Sequence, residues 1–459
     1  MANIENTNKN PLGVAPVEKL LRSFAVPSII SMLVGSLYNI VDQFFIGQKV
    51  GELGNAATNI AFPLSISCIA IALLFGIGGA SAFNLAMGEG NREKAKHYMG
   101  NSAVISILCG IVLAVIAEIL LRPMLIFFGS SVAILPYAME YTRITAIGFP
   151  MLIFTSTGGH LIRADGRPRI SMICNLSGAV INTVLDAIFV FGLGWGMQGA
   201  AIATVIGQYV SGSMAIWYLS HGKTVQLGIE DLKLKKEYIL RPMSLGMAPC
   251  SNQLAMMLVQ IVMNNSLRHY GINSEYGAET PIAVVGIITK VNSVFMSFVI
   301  GMSQGLQPIS SFNYGAKNYK RVREAYLKTI SVGAVMAEIA WLLFMIFPMQ
   351  IISIFGKGEN ELYYKFAVNY FHIFLFFTFL NFLQPITSNF FTSIGKAKTG
   401  TFLSLTRQII FLLPLILILP LFMGIDGIMY AGPVADLAAA TVSGIMVGRE
   451  LGRIKKLQA

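Results

Sequence analysis

Twelve long apolar stretches separated by short polar segments dominate this sequence. Each can cross a bilayer as a helix, which takes about 20 residues, and 55% of the chain is apolar whereas only 12% is charged. The predicted spans are 23–46, 58–83, 100–121, 134–158, 170–191, 199–219, 243–268, 281–304, 326–348, 366–390, 402–421 and 428–448. A porin-type barrel would show short alternating segments instead. The sequence therefore predicts an all-α polytopic membrane protein and excludes a soluble domain, a disordered chain and a coiled coil.

The basic residues are distributed unevenly between alternate loops. Most of the 33 Lys and Arg lie in the N-terminal segment, the even-numbered loops and the C-terminal tail. The odd-numbered loops and the adjoining parts of the spans hold only Lys49, Arg122, Arg143, Arg268, Lys357 and Lys365, and Lys290 is counted deeper inside a span. Because cytoplasmic loops are enriched in Lys and Arg, we expect a cell-membrane protein with both termini in the cytoplasm. The net charge of +11 then needs no nucleic-acid partner.

The two halves of the chain resemble each other at an offset of 227 to 229 residues. Gly78 and Gly88 recur as Gly305 and Gly315, Phe128-Gly129 as Phe355-Gly356, Gly166-Arg167 as Gly395-Lys396, and Gly196-x-x-Gly199 as Gly424-x-x-Gly427. Six helices in each half give both halves the same orientation, which predicts parallel repeats around a central cavity. The predicted units are an N-lobe (23–219), a cytoplasmic linker (220–242), a C-lobe (243–448) and cytoplasmic ends (1–22 and 449–459).

The motifs of common enzymes are not found in the sequence. Residues 194–199 spell G-x-G-x-x-G, but a dinucleotide site needs a preceding strand, and here two apolar helices flank the motif. We interpret it as a tight turn. The four cysteines lie in apolar stretches and form no C-x-x-C pair. We therefore expect neither enzymatic activity nor a cofactor, and no metal beyond a Na⁺ ion at the site described next.

Ionisable residues inside the spans are the strongest functional signal, because they are costly in a membrane. Asp42 lies near the outer end of helix 1. Asp186 lies 17 residues after Arg169, about 25 Å along helix 5 at 1.5 Å per residue, and therefore also in the outer half. The topology brings three further polar residues of the N-lobe to that depth: Tyr141, Asn182 and Thr204. The sequence thus predicts a polar cluster that contains two carboxyl groups.

Two carboxyl groups in a medium of low dielectric constant do not both ionise easily. Such a cluster can take up a proton, or it can hold a dehydrated Na⁺ ion with carboxylate, amide and hydroxyl oxygens. The alternative is a hydrogen-bonded network that only packs helices together. Asn175 continues the stripe of Asn182 and Asp186 on helix 5, and taken alone it is more typical of helix packing.

The C-lobe carries a different set of side chains. We expect methionine, aromatic and amide residues on helices 7, 8 and 10 to line a cavity for flat, lipophilic ligands: Gln253, Met256, Met257, Gln260, Phe295 and Asn381. Ordinary packing or lipid-facing surface explains each of them equally well. Lys290, Glu338 and Asp436 also lie within spans, and Lys290 could pair with either acid.

With these features, the chain resembles the multidrug and toxic compound extrusion (MATE) family, in its MepA-like prokaryotic branch. The resemblance runs from Pro27 to about Gly448. Its motifs are Val41-Asp42-Gln43-Phe44-Phe45-Ile46-Gly47, Gly76-Ile77-Gly78-Gly79-Ala80, Ala164-Asp165-Gly166-Arg167-Pro168-Arg169, Asn182-x3-Asp186 and Gly196-x2-Gly199-Ala200-Ala201-x-Ala203-Thr204.

The resemblance implies export of cationic, lipophilic drugs in exchange for H⁺ or Na⁺, by a protein that acts as a monomer in the bilayer. It also implies that Asp42, Tyr141, Asn182, Asp186 and Thr204 form the cation site. Other branches of the family carry acids in helices 7 and 10, and this sequence has none there. The oxygens of the cluster suit H⁺ and Na⁺ alike, so the sequence does not choose between them.

Two other functions fit a doubled helical membrane protein. A flippase for a lipid-linked oligosaccharide would need a cavity lined with arginines, and the central helices offer almost none. A sensor or assembly scaffold without transport would leave the buried carboxyl groups and the two lobes unexplained.

Overall fold

The protein is a bundle of helices, and the computed structural model describes residues 10–222, 225–277, 279–354 and 361–458, without the side chains of Gln43, Glu52 and Glu279. The long helices are α1 Val17–Lys49, α2 Glu52–Gly88, α3 Arg92–Ile119, α4 Leu135–Ala164, α5 Pro168–Gly192, α6 Gly196–Ser220, α7 Lys236–Ile272, α8 Glu279–Gly315, α9 Tyr319–Ile346, α10 Glu361–Ser393, α11 Ala397–Met423 and α12 Ile425–Lys456. Short helices lie at Pro11–Val14, Leu121–Phe127, Pro348–Ile354 and Ile229–Leu232. The described residues contain no β-strand.

Each predicted span falls on one long helix and extends past the end of that helix by at most two residues, so the prediction of twelve helices in two halves is confirmed. Eleven of them are long and apolar enough to cross a membrane by themselves. The exception is α4, which carries Glu140 and Arg143. This helix packs against α2, α3 and α6 and buries many of its residues. Neighbouring helices therefore shield α4 from lipid, and it can be less apolar than the rest.

Several helices run beyond the apolar segments that predicted them. Helix α2 continues to Gly88, α7 begins at Lys236, and α12 continues to Lys456. The end of the linker predicted at 220–242 and most of the tail predicted at 449–459 are therefore helical. Polar residues continue the backbone hydrogen bonds of a helix after it leaves the apolar layer, so hydropathy locates the span and not the helix end.

The glycine motif at 194–199 forms the turn between α5 and α6. Gly194 and Gly196 have φ of +68° and +55°, a region that side chains with a Cβ atom rarely adopt. The chain reverses there and α6 begins at once at Gly196. The interpretation of this motif as a tight turn is confirmed.

Both ends of the described chain lie on one side of the molecule, which we call the terminal side. The backbone oxygen of Leu12 accepts hydrogen bonds from Asn313 and Arg321, where α8 ends and α9 begins. Near the end of α12, Arg453 donates to the hydroxyl group of Tyr314. The two termini thus share a side, as an even number of spans requires.

Glycines of the internal repeat are the points where the two lobes touch on the terminal side. A Cβ atom on Gly88 would lie 2.0 Å from the backbone oxygen of Phe312. Its repeat partner, Gly315, would place a Cβ atom 2.2 Å from the backbone oxygen of Leu85. The two contacts are related by the repeat, and only glycine lets α2 and α8 approach this closely.

Hydrogen bonds between the lobes end at about half the depth of the bundle. Gln307 donates to the backbone oxygen of Ile77 and to Ser81. Farther along α8, the hydroxyl groups of Ser297 and Ser36 are 2.9 Å apart. Among the described residues, no hydrogen bond between α1–α6 and α7–α12 lies farther from the terminal side than this pair. The lobes are joined on the terminal side.

The replacement Gly88→Ala is expected to push the lobes apart on the terminal side, because the new methyl group would overlap backbone rather than a flexible side chain. Spin labels on cysteines at Glu93 and Lys320, both exposed, would report this by pulsed electron resonance. We expect a longer mean distance than in wild type. Gly286→Ala is the matched control, since nothing lies within 4 Å of its Cβ position. Equal distances in all three proteins would contradict the role given to Gly88.

Candidate cation site in the N-lobe

The predicted polar cluster is present as one contiguous group in the N-lobe. Asp42 on α1 and Asp186 on α5 are 8% and 0% exposed, and their carboxyl groups lie within hydrogen-bonding reach of each other. Asn182 and Thr204 are also buried, and Tyr141 reaches the hydroxyl group of Thr204 from α4. The structure therefore brings together all five residues predicted for the site, from four different helices.

Thr204 is the hub of the hydrogen bonds within the cluster. The Nδ2 atom of Asn182 donates to its Oγ1 atom at 3.1 Å. The hydroxyl group of Tyr38 lies 3.5 Å from the same oxygen. Tyr38 was missed in the sequence, although it stands four residues before Asp42 and so on the same face of α1. That spacing was the available signal, and the cluster has six members.

The secondary structure around Asp186 sets its position. Helix α5 is α-helical up to Asp186 and continues as a π-helical turn at Ala187–Gly192. Such turns inside helices are frequent at functional sites. On the opposite side of the cluster, Gly207 of α6 would place a Cβ atom only 2.7 Å from the backbone oxygen of Gly178 on α5. Close packing of α5 on α6 thus holds Asn182 against Thr204.

The cluster has an excess of hydrogen-bond acceptors. Among the described residues, no N–H or hydroxyl group donates to four of its buried oxygens: Oδ1 of Asp42, both carboxyl oxygens of Asp186 and Oδ1 of Asn182. Buried oxygens without donors are costly. A proton shared by the two carboxyl groups, or a cation bound between these oxygens, would remove that cost. The four atoms that could bind a cation are all oxygens, and oxygen ligands suit a hard cation rather than zinc or copper.

The C-lobe holds a buried ion pair that contains Asp436, and its basic partner differs from the one expected from the sequence. Asp436 on α12 accepts from Nε of Arg407 on α11 at 2.6 Å, and from Asn381 on α10 at 3.1 Å. Its partner is thus not Lys290. Arg407 lies within the predicted span 402–421 and was overlooked as a basic residue inside a span. Lys290 and Glu338 are both exposed.

The residues predicted for a ligand cavity in the C-lobe have mixed positions. Phe295 is 6% exposed and packs in the hydrophobic core of the lobe, and Asn381 is engaged by Asp436. On α7, Met256 is 44% exposed, while Gln253, Met257 and Gln260 are half-buried. Gln260 donates to Asn264 on its own helix. A ligand cavity formed by these six residues stays a prediction.

Comparison with known proteins decides the family. A family model described as MatE matches residues 27–188 and again residues 251–418, once in each half. The chain belongs to the MatE family. This double match agrees with the internal repeat, and the predicted resemblance to a MATE transporter is confirmed.

Individual relatives are distant but match along nearly their whole length. The multidrug export protein MepA of Staphylococcus haemolyticus is 23% identical over 430 residues, which cover 94% of this chain and 93% of MepA. A protein of Shewanella oneidensis named FAD transporter is 23% identical and covers 92% of each chain. A crystal structure of MATE in complex with MaL6 superposes with a TM-score of 0.89 at 21% identity, and covers 99% of this chain and 100% of that one. The likeness to this structure concerns the fold.

Proposed function

We propose that this MatE-family protein is a secondary active exporter of cationic, lipophilic compounds, driven by H⁺ or Na⁺ antiport. The observation that carries the coupling part is the set of four buried oxygens without donors on Asp42, Asp186 and Asn182. The export part is supported by the relatives named multidrug export protein MepA. Because Lys and Arg are enriched on the terminal side, we place that side in the cytoplasm and the protein in the cell membrane.

The cycle follows from how a bound cation changes the cluster. With the cluster empty, two carboxyl groups lie against each other in a buried site and repel when ionised. A proton or Na⁺ removes the repulsion and allows α1, α4, α5 and α6 to pack more closely around Asp42. We propose that this closer packing shifts the equilibrium away from the drug-bound, outward-open state, so that cation entry and drug release are coupled.

Several features of the structure agree with an outward-open state. Hydrogen bonds between the lobes stop at Ser36 and Ser297, and the glycine contacts at Gly88 and Gly315 close the terminal side. Return to the inward-open state must separate these contacts. The ion gradient can supply the energy for this conformational change. One charge moving through 100 mV supplies about 2.3 kcal/mol, and each pH unit supplies about 1.4 kcal/mol.

A second candidate substrate is a flavin nucleotide, because a relative of equal similarity is named FAD transporter. FAD carries phosphate groups and is anionic, so it would need positive charge on the cavity wall. Arg407 is partly exposed beside Asp436 and is a candidate for that contact. The two substrate classes have opposite charge and are therefore easy to distinguish in one assay.

The deciding experiment measures transport with the two gradients imposed separately. Purified protein in proteoliposomes would be given either a pH gradient or a Na⁺ gradient, with a fluorescent cationic dye or FAD as substrate. We expect dye movement with one gradient only, and that gradient names the coupling ion. Equal movement without any gradient would contradict antiport and would favour the lipid-linked oligosaccharide flippase or a protein without transport.

A further inference from the structure

A narrow cavity of about 270 Å³ lies inside the N-lobe between α1, α4, α5 and α6. One end is lined by the cation cluster, through Asn182 and Thr204. The other end is lined by His160, Arg163 and Asn175. Asn175 precedes Asn182 by seven residues on α5, roughly 10 Å along the helix, and Arg163 is one residue from the end of α4 on the terminal side. The proposed transport cycle uses only the first end.

Arg163 is a buried charge, and no carboxylate of the described residues is its counter-ion. It is 4% exposed, and it donates from Nη1 to Ser171 at 3.0 Å and from Nη2 to Nδ1 of His160 at 2.8 Å. A guanidinium group has five N–H donors and stays charged in proteins. No ion pair between described residues involves Arg163. A buried, unpaired charge is strongly unfavourable, so an anion bound next to Arg163 would stabilise the protein.

The net charge at this end of the cavity is a single positive charge. Because the guanidinium can only donate, Nδ1 of His160 must accept, and the ring then carries its proton on Nε2 and is neutral. Ser171 donates its own proton to the backbone oxygen of Gly159 at 2.9 Å. The hydroxyl group therefore accepts from Arg163 and supplies no negative charge.

Gly159 of α4 lies close to both donors. A Cβ atom on this residue would lie 3.2 Å from Oγ of Ser171, 3.7 Å from Nδ2 of Asn175 and 4.0 Å from Nη1 of Arg163. The amide of Asn175 and the guanidinium of Arg163 are therefore neighbours. Both line the cavity, and a guanidinium with an amide N–H is a suitable donor set for an anion.

We propose that this end of the N-lobe cavity binds a small monovalent anion, of the halide or carboxylate class, held by Arg163 with Asn175 as second donor. The charge balance fits one negative charge against one guanidinium. The size of the cavity fits an ion of a few atoms with its water. This site is separate from the Asp42 and Asp186 cluster, and its test measures binding rather than transport.

The first measurement is the melting temperature of the purified protein in chloride, in acetate and in gluconate at equal ionic strength. At a tenfold excess over Kd, a bound anion is expected to raise the melting temperature by about 2 °C. Gluconate is too bulky for the site and serves as the reference. A rise in chloride alone indicates a halide site, and a rise in chloride and acetate indicates a site for either ion.

Two variants test the location of the site. Arg163→Gln removes the charge and should abolish the anion-dependent rise, and Asn175→Leu removes the second donor at similar side-chain volume and should reduce it. Arg169→Gln is the matched control, because it removes an exposed arginine nearby and should keep the full rise. An equal rise in Arg163→Gln and wild type would overturn the proposal.

A measurement on the wild-type protein covers the case in which the variants do not fold. Crystals grown in bromide should show an anomalous peak between Arg163 and Asn175. Bromide peaks at the protein surface alone, together with no difference between chloride and gluconate, would also overturn the proposal.

Discussion

Replacing either Asp42 or Asp186 with asparagine is expected to reduce gradient-driven export to background, at least tenfold, while the protein stays folded. Asparagine keeps the size of the side chain and loses the group that accepts a proton or the charge of a cation. The substitution also gives the cluster an N–H group that can donate to the buried oxygens that lack a hydrogen bond, so the stability of the protein should not fall. Dye export from proteoliposomes under the active gradient, with the melting temperature measured in parallel, checks both expectations.

The control for this pair is Asp426→Asn. Asp426 lies in the first turn of α12 and is exposed, so the same chemical change there should leave export unchanged. Wild-type export in both Asp42→Asn and Asp186→Asn would refute the coupling role and leave the cluster as a packing network. Loss of export in only one of them would assign the coupling cation to that carboxyl group.

The replacement Arg407→Leu is expected to destabilise the C-lobe by about 3–5 kcal/mol, because it leaves the carboxylate of Asp436 buried without its cation. The side chain of Asp436 is 0% exposed, so water cannot solvate the carboxylate in place of Arg407. Thermal unfolding in detergent, followed by tryptophan fluorescence, measures the loss. Asp436→Leu should reduce stability by a similar amount, since it leaves the guanidinium group of Arg407 without its carboxylate.

The double variant Arg407→Leu with Asp436→Leu separates pairing from packing. If the single variants lose stability because an unpaired charge stays buried, the double variant should be more stable than either single variant. Lys365→Leu serves as the control, because it breaks an exposed ion pair with Glu275 and should change the melting temperature little. Additive losses in the double variant would show that the residues act through packing alone.

The positions of the helices in this chain follow largely from the lipid bilayer that surrounds them. A bilayer forces backbone hydrogen bonds to close within each span, so each run of apolar residues predicted the position of one long helix, although not where that helix ends. The depth of a residue along its helix follows from counting at 1.5 Å per residue. Counting placed Asp42 and Asp186 at the same depth, and in the structure the two carboxyl groups are neighbours.

Partners within the C-lobe could not be predicted in this way. Position within the spans suggested Lys290 as the partner of Asp436 or Glu338, and Arg407 was overlooked, because counting along a helix does not show which face meets which neighbour. The structure turns Arg407 and Asp436 toward each other and leaves Lys290 and Glu338 exposed. The helix face is set by packing, which depends on side chains from several distant segments.

The sequence by itself determined the fold class, the number of helices, the internal repeat and the depth of the cation cluster, because these depend on local hydrophobicity and on helix geometry. Only the tertiary structure decided that Tyr38 joins the cluster, that Gly88 and Gly315 close the terminal side, and that Arg163 lines a cavity without forming an ion pair to any described residue. These features arise from rotation and close approach of helices far apart in the chain. No periodicity within a single helix encodes them.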